Sequence, residues 1–196
     1  TQITLNHQGR SFDWQLLDRT QCDKCHVQEQ GYALGLSLNQ LSRMVDYPEG
    51  QREQVGAWID AGYAQQSGTA PPSFPMPIEQ PNPAELEQQV RVYLDVNCAS
   101  CHQPNGPGDA ELDLRLGTNF SDMGLCNVQS DRDLVDTPDG YLLKPGSPDE
   151  SVLYQRLNRR DEQQMPPLGS TQIDQIGVGL VQAWILSLTD CSTPTL

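Results

Sequence analysis

Apolar positions recur with two periods along this chain, separated by long stretches where neither holds. The opening TQITLNHQ alternates apolar and polar residues, which suits a short strand or an extended arm, and SFDWQLLDRTQ follows it. ALGLSLNQLSRM predicts a short helix and Pro48-Glu49-Gly50 a turn. The next stretch predicts a helix with Val55, Trp58 and Ile59 on one face and Gly62 as its cap. Residues 65–81 are rich in Pro, Ser and Gly, as in a linker or a loop laid across a cofactor. Asn82 and Pro83 then predict a helix start, with Leu86, Val90, Tyr93 and Leu94 as its apolar stripe.

Residues 103–146 show no clear period and predict loops with at most one short strand pair. Order returns at Ser147, where Pro148 and Glu150 complete a capping box. The last helix carries Ile173, Ile176, Leu180, Trp184 and Leu188 on one stripe. A faint repeat relates LNQLSRM, ahead of Trp58, to the YQRLNRR and QQM stretches ahead of Trp184.

Composition sharpens this picture. With 196 residues the chain has room for two small domains, yet hydrophobic residues make up 36% and aromatics 6%. That is thin for two cores stabilised by side-chain burial alone, so an apolar cofactor is expected to complete them. The 15 prolines and 16 glycines fit loops wrapped around such a group. Twenty-six acids against 12 bases leave a net charge of −14, which repels phosphate backbones and anionic lipid. No run of apolar residues is long enough to span a bilayer. With no initiator Met or export signal in view, the sequence reads as a mature chain or an excised domain.

The chemistry concentrates in a five-residue pattern that occurs twice, CDKCH at Cys22–His26 and CASCH at Cys98–His102. Covalent haem attachment needs two thiols to form thioethers with the two vinyl groups, and an imidazole to reach the iron. C-x-x-C-H on a helical turn supplies all three. A zinc site from Cys22, Cys25, Cys98 and Cys101 would have an overlong spacer and two surplus histidines. A redox dithiol of the thioredoxin kind needs a strand–helix alternation that is missing. The expectation is therefore two haem c groups, with His26 and His102 as iron ligands. His7, the third histidine, reads as structural, with ligation as its alternative.

The sixth ligand decides what such a centre does. A methionine thioether gives an electron carrier, and an open position permits peroxide or gas chemistry. Met165 in QQMPPLG, presented by Pro166 and Pro167, is the candidate for the second haem. For the first, the repeat points to Met44 and the FPMP stretch to Met76 as an alternative. Met123 reads as packing. Cys126 and Cys191 have no ligand-like neighbours and read as a disulfide or as two buried thiols. The Asp-rich stretch at 104–139 lacks the spacing of a calcium loop.

From YLDVNCASCHQPNG through LKPGSPDESVLYQRL to MPPLG and VQAWILSL, the chain resembles dihaem c-type cytochromes built from two class I-like modules. It is similar to cytochrome modules of secreted bacterial multidomain proteins. Some of those carry carbohydrate-binding domains and are thought to pass electrons to copper-dependent lytic polysaccharide monooxygenases. The resemblance implies a mostly α fold with long irregular loops, residues 1–81 forming one haem module and 82–196 the other. It also implies a periplasmic or secreted location, because haem c is attached after export, and a place among other domains of a larger modular protein.

The function expected is single-electron transfer to a redox protein with a basic docking patch, without catalysis, nucleic-acid binding or a membrane span. A dihaem peroxidase or a haem-based sensor with one open coordination position is the alternative.

Overall fold

The computed structural model describes residues 1–7, 9–28, 31–36, 41, 43–65, 85–108, 111–131 and 140–192. The alternating amino-terminal residues form an antiparallel hairpin of β1 (Gln2–His7) and β2 (Arg10–Gln15), with Ile3 opposite Trp14 and Leu5 opposite Phe12. Gly9 turns the chain between them at φ 76°. Helix α1 (Arg19–Cys22) follows, and Asp18 caps it reciprocally. Gln21 N donates to Asp18 Oδ1 at 2.9 Å, and Asp18 N donates to Gln21 Oε1 at 3.0 Å.

A second hairpin, β3 (Met44–Tyr47) with β4 (Gly50–Glu53), leads directly into α2 (Gln54–Asp60). Met44 therefore lies on a strand and not in a helix that runs up to a turn. The Met-Val-Asp-Tyr alternation has strand periodicity, and Pro48 with Gly50, at φ 121°, makes the reversal. Glu53 caps α2 by accepting from Val55 N (3.1 Å) and Gly56 N (2.6 Å).

Helix α3 (Leu86–Asn97) begins after Asn82 and Pro83, which lie outside the described residues. Short 3-10 turns at Phe120–Asp122 and Pro148–Glu150 precede α4 (Val152–Leu157), and α5 (Gln175–Ser187) closes the fold. No side-chain cap bond forms at Ser147. The buried Ser151 hydroxyl ties this corner together instead, donating to Ser147 O at 2.8 Å and accepting from Lys144 N at 2.9 Å. Among the described residues between 111 and 151, strand pairing is limited to isolated bridges, such as Cys126 with Leu143 and Gln129 with Tyr141.

The expectation of a mostly α fold is thus corrected. Among the described residues 32% are helical and 16% are in strands or bridges, making the fold mixed α/β with two small two-stranded sheets. The strands sit in the first half, where short alternating segments have no broad helical stripe to bury.

The core lies in the second half. Val90, Tyr93 and Leu94 of α3 pack on Val181, Trp184 and Ile185 of α5, with Phe120, Met123, Leu125 and Leu143 filling in from the loops. Phe120 meets Trp184 edge-on at 5.6 Å between ring centroids. Met123 is a packing residue, fully buried. Ile176, expected on the buried stripe, is 48% exposed, and Gly177 and Val178 take the inward positions. Ahead of residue 85, Ala57 is the one described hydrophobic residue that is fully enclosed.

Candidate functional site

Helix α3 delivers the second motif. Its last turn runs on past Asn97, with Cys98 N bonded to Leu94 O, Cys101 N to Cys98 O (3.0 Å) and His102 N to Cys98 O (2.9 Å). This turn places the two thiols and the imidazole within one loop of backbone. The chain then folds back beneath them, as Gly108 N donates to Cys101 O at 3.0 Å and Leu114 N to His102 O at 2.9 Å. A Cβ at Gly108 would come within 2.7 Å of His102 Nδ1, and one at Gly106 would strike the Cys101 carbonyl. The Asn-Gly-Pro-Gly run after the motif is therefore what lets the backbone pass so close to the imidazole.

Cys98, Cys101 and His102 open into a cavity of about 340 Å³ that also takes in Met165, Pro166 and Pro167. Leu112, Leu114, Leu125, Leu142, Leu153 and Leu157 give it an apolar lining. Met165 is held by its own backbone, its N–H donating to Arg156 O at 2.8 Å. The loop that carries it is stitched down by two guanidinium groups. Arg156 Nε donates to Gln163 O at 2.9 Å, and Arg160 Nη2 donates to Gln172 O at 2.7 Å. Both arginines line the cavity, and neither stood out in the sequence because no motif marks them.

Burial, with Cys101 as a lesser cause, pushes the Cys98 thiol up to about 12. The residue as a whole is partly exposed, but the sulfur is enclosed. A thiol held neutral in this way is a weak exchange nucleophile.

No family model, curated protein or solved structure matches this chain. The site's chemistry therefore rests on its own residues.

The first motif is built differently. Cys22 ends α1, and Cys25 N and His26 N both bond back to Cys22 O, at 3.1 and 3.0 Å. His26 Nδ1 lies 2.7 Å from Tyr32 O. A carbonyl only accepts, so Nδ1 carries the proton and Nε2 keeps its lone pair for a metal. Tyr32 reaches this position with φ 63°, between Gly31 and Ala33. His26 is exposed.

Met44 is 60% exposed and lines an open depression of about 450 Å³ with Arg52, Glu53 and Asp60, whose walls include none of Cys22, Cys25 or His26. Met76 lies outside the described residues. His7 pairs with Arg10 at the turn end of the first hairpin, exposed.

Two further relations join distant parts of the sequence. Cys126 and Cys191 form a disulfide with Cα atoms 5.7 Å apart, fastening the loop after the second motif to the end of the chain. Cys101 Sγ approaches Cys25 Sγ to 3.9 Å, bringing the two motifs edge to edge. Among the described residues no group of three or more His, Cys, Asp or Glu side chains is arranged to hold a metal ion. A haem brings four nitrogen ligands of its own and asks the protein only for the axial ones.

Proposed function

We propose that this chain is a c-type electron carrier with two covalently attached haems. The observation that carries the reading is the shared cavity. Two thiols, an imidazole and a thioether sulfur open into one apolar space, each held by backbone bonds at its base. Those residues fit the group. Cys98 and Cys101 would anchor it, and His102 and Met165 would bind its iron, while Cys22, Cys25 and His26 would hold the first haem.

A haem with two protein ligands changes oxidation state by one electron without binding substrate. The chain's own residues supply the rest. The leucine lining excludes water, and the Arg156 and Arg160 bonds hold the Met165 loop in place. The acidic surface, at −14 net, favours a redox partner with a basic docking patch and binding that weakens with salt. No helix among the described residues is long and apolar enough to cross a membrane. The disulfide and haem c attachment both suit an oxidising compartment, either periplasmic or extracellular. A copper-dependent polysaccharide monooxygenase is the acceptor that the sequence resemblance suggests.

The setting of Met44 favours one second reading. Because its depression excludes the first motif, the first haem would keep an open position, as in a dihaem peroxidase or a sensor, unless Met76, outside the described residues, fills it. The absorption spectrum of the reduced protein, made with haem-attachment machinery and recorded before and after carbon monoxide, tests both. A two-haem c-type spectrum unchanged by carbon monoxide supports electron transfer at both sites. A partial Soret shift moves the first haem to the second reading, and the absence of covalent haem overturns the proposal.

A further inference from the structure

The two motifs meet sulfur to sulfur. Cys101 Sγ stands 3.9 Å from Cys25 Sγ, across 76 residues of chain, and both residues are half-buried. Each is the second cysteine of its motif, so the contact is symmetric in motif terms. Neither sulfur is in a disulfide, while Cys126 and Cys191 already are.

A disulfide needs its sulfurs about 2.05 Å apart and its Cα atoms within about 7 Å. From 3.9 Å the two sulfurs have about 2 Å left to close. Among the described residues, short turns and hairpins surround the first motif instead of a packed core, so no packed side chains there oppose the approach.

We propose that Cys25 and Cys101 form a disulfide that joins the two motifs, a redox site distinct from the structural Cys126–Cys191 bond. The oxidant is a small-molecule or protein disulfide of an oxidising compartment. One cysteine thiolate attacks the oxidant's S–S bond, forming a mixed disulfide and releasing one thiol. The other cysteine then attacks the mixed disulfide, which forms the Cys25–Cys101 bond and releases the second thiol. The two cysteine protons end on the two released thiols, and the two electrons lost by the cysteines reduce the oxidant.

The bond itself does not depend on the haem reading. Its consequence does, because a thioether sulfur cannot enter a disulfide. The Cys25–Cys101 bond would withdraw one anchor from each motif at once, so that a single two-electron reduction by a dithiol would release both motifs for attachment together.

The test uses the full chain, produced without haem-attachment machinery and refolded with oxidised glutathione. Free thiols are blocked, and the chain is digested with trypsin without reductant and mapped by mass spectrometry. Cleavage after Lys24 separates Cys22 from Cys25. The expected result is the Cys25 peptide linked to the peptide carrying Cys98 and Cys101, and the same link in a Cys22→Ser, Cys98→Ser double variant. Cys25→Ser should abolish it. Pairing within each motif, or four blocked thiols, overturns the proposal, and the native-chain map reads this even where a variant fails to fold.

Haem content of the chain made with the machinery is measured in parallel. Covalent haem together with within-motif pairing sinks the disulfide and leaves the electron-carrier reading standing. A Cys25–Cys101 link in a chain that never takes haem does the reverse. Where both hold, adding a dithiol should raise haem attachment to the oxidised chain several-fold.

Discussion

Gly177 of α5 lies against the ring of Tyr93 on α3, so close that a Cβ there would overlap the ring. This contact sets how near the two longest helices among the described residues approach, and α3 is the helix that presents Cys98, Cys101 and His102. A small residue on α5 therefore fixes the position of the second motif from the far side of α3.

Gly177→Ala is expected to destabilise the protein by about 1–3 kcal/mol, because the added Cβ would overlap the buried Tyr93 ring and force it to shift. Gly179→Ala, two positions along the same helix, meets nothing within 4 Å and is expected to stabilise by about 0.5–1 kcal/mol through helix propensity. Denaturant unfolding of the pair checks the contrast. Equal effects would mean that the close approach is absent.

The same tyrosine makes stability depend on alkaline pH. Burial, and then the carboxylate of Asp174, which its hydroxyl hydrogen-bonds, raise Tyr93 above its ordinary value near 10. A group whose folded pKa is raised contributes stability that is fully present below the unfolded pKa and is lost as pH rises beyond it. Unfolding free energy should therefore begin to fall above about pH 10. Tyr93→Phe should flatten that slope. In chains without thioethers part of the slope should remain, because Cys98 shifts in the same direction.

These two residues also show what could be read from the sequence. Tyr93 lies on the apolar stripe of α3, and 3.6-residue periodicity was enough to place it inside. Gly177 gave no signal, since a glycine required by close approach looks like any other glycine until its neighbour is known. The stripe on α5 was legible at Leu180, Trp184 and Leu188 but misread at Ile176, because a helix apolar on most sides hides which face is buried. The hairpin at Met44–Glu53 was lost because apolar residues in a short segment fit a helix turn as well as a strand. At the site, the motif residues and Met165 were local patterns, whereas Arg156, Arg160 and the leucine lining come together only through the fold.

Cys126–Cys191 closes a loop with a sequence separation of 65 residues over the second half. Replacing both cysteines by alanine is expected to cost about 2–4 kcal/mol, mainly by freeing the unfolded chain. Thermal unfolding with and without reductant measures this. An unchanged midpoint would mean that the core of α3 and α5 holds this region without the bond.

Met165 separates packing from ligation. Its side chain is half-buried beside Pro166 and Pro167, so Met165→Ala should change stability by about 1 kcal/mol or less. Under the haem reading the same substitution should lower the potential of the second haem and open it to carbon monoxide, seen as a Soret shift absent from the parent. A variant spectrally identical to the parent would remove Met165 from the iron.

The first half has a different dependence on its cofactor. Among its described residues Ala57 is the one buried hydrophobic side chain, so it has little to set against a backbone ordering cost of about 1–2 kcal/mol per residue. If a macrocycle is attached at Cys22 and Cys25, that macrocycle is the missing interior, and attachment would firm up the hairpins and short helices already formed there. A protease would then act as a loading gauge, cutting unloaded chains ahead of residue 85 while sparing the body around α3 and α5. Quality control in the cell could sort finished from unfinished molecules by that difference alone.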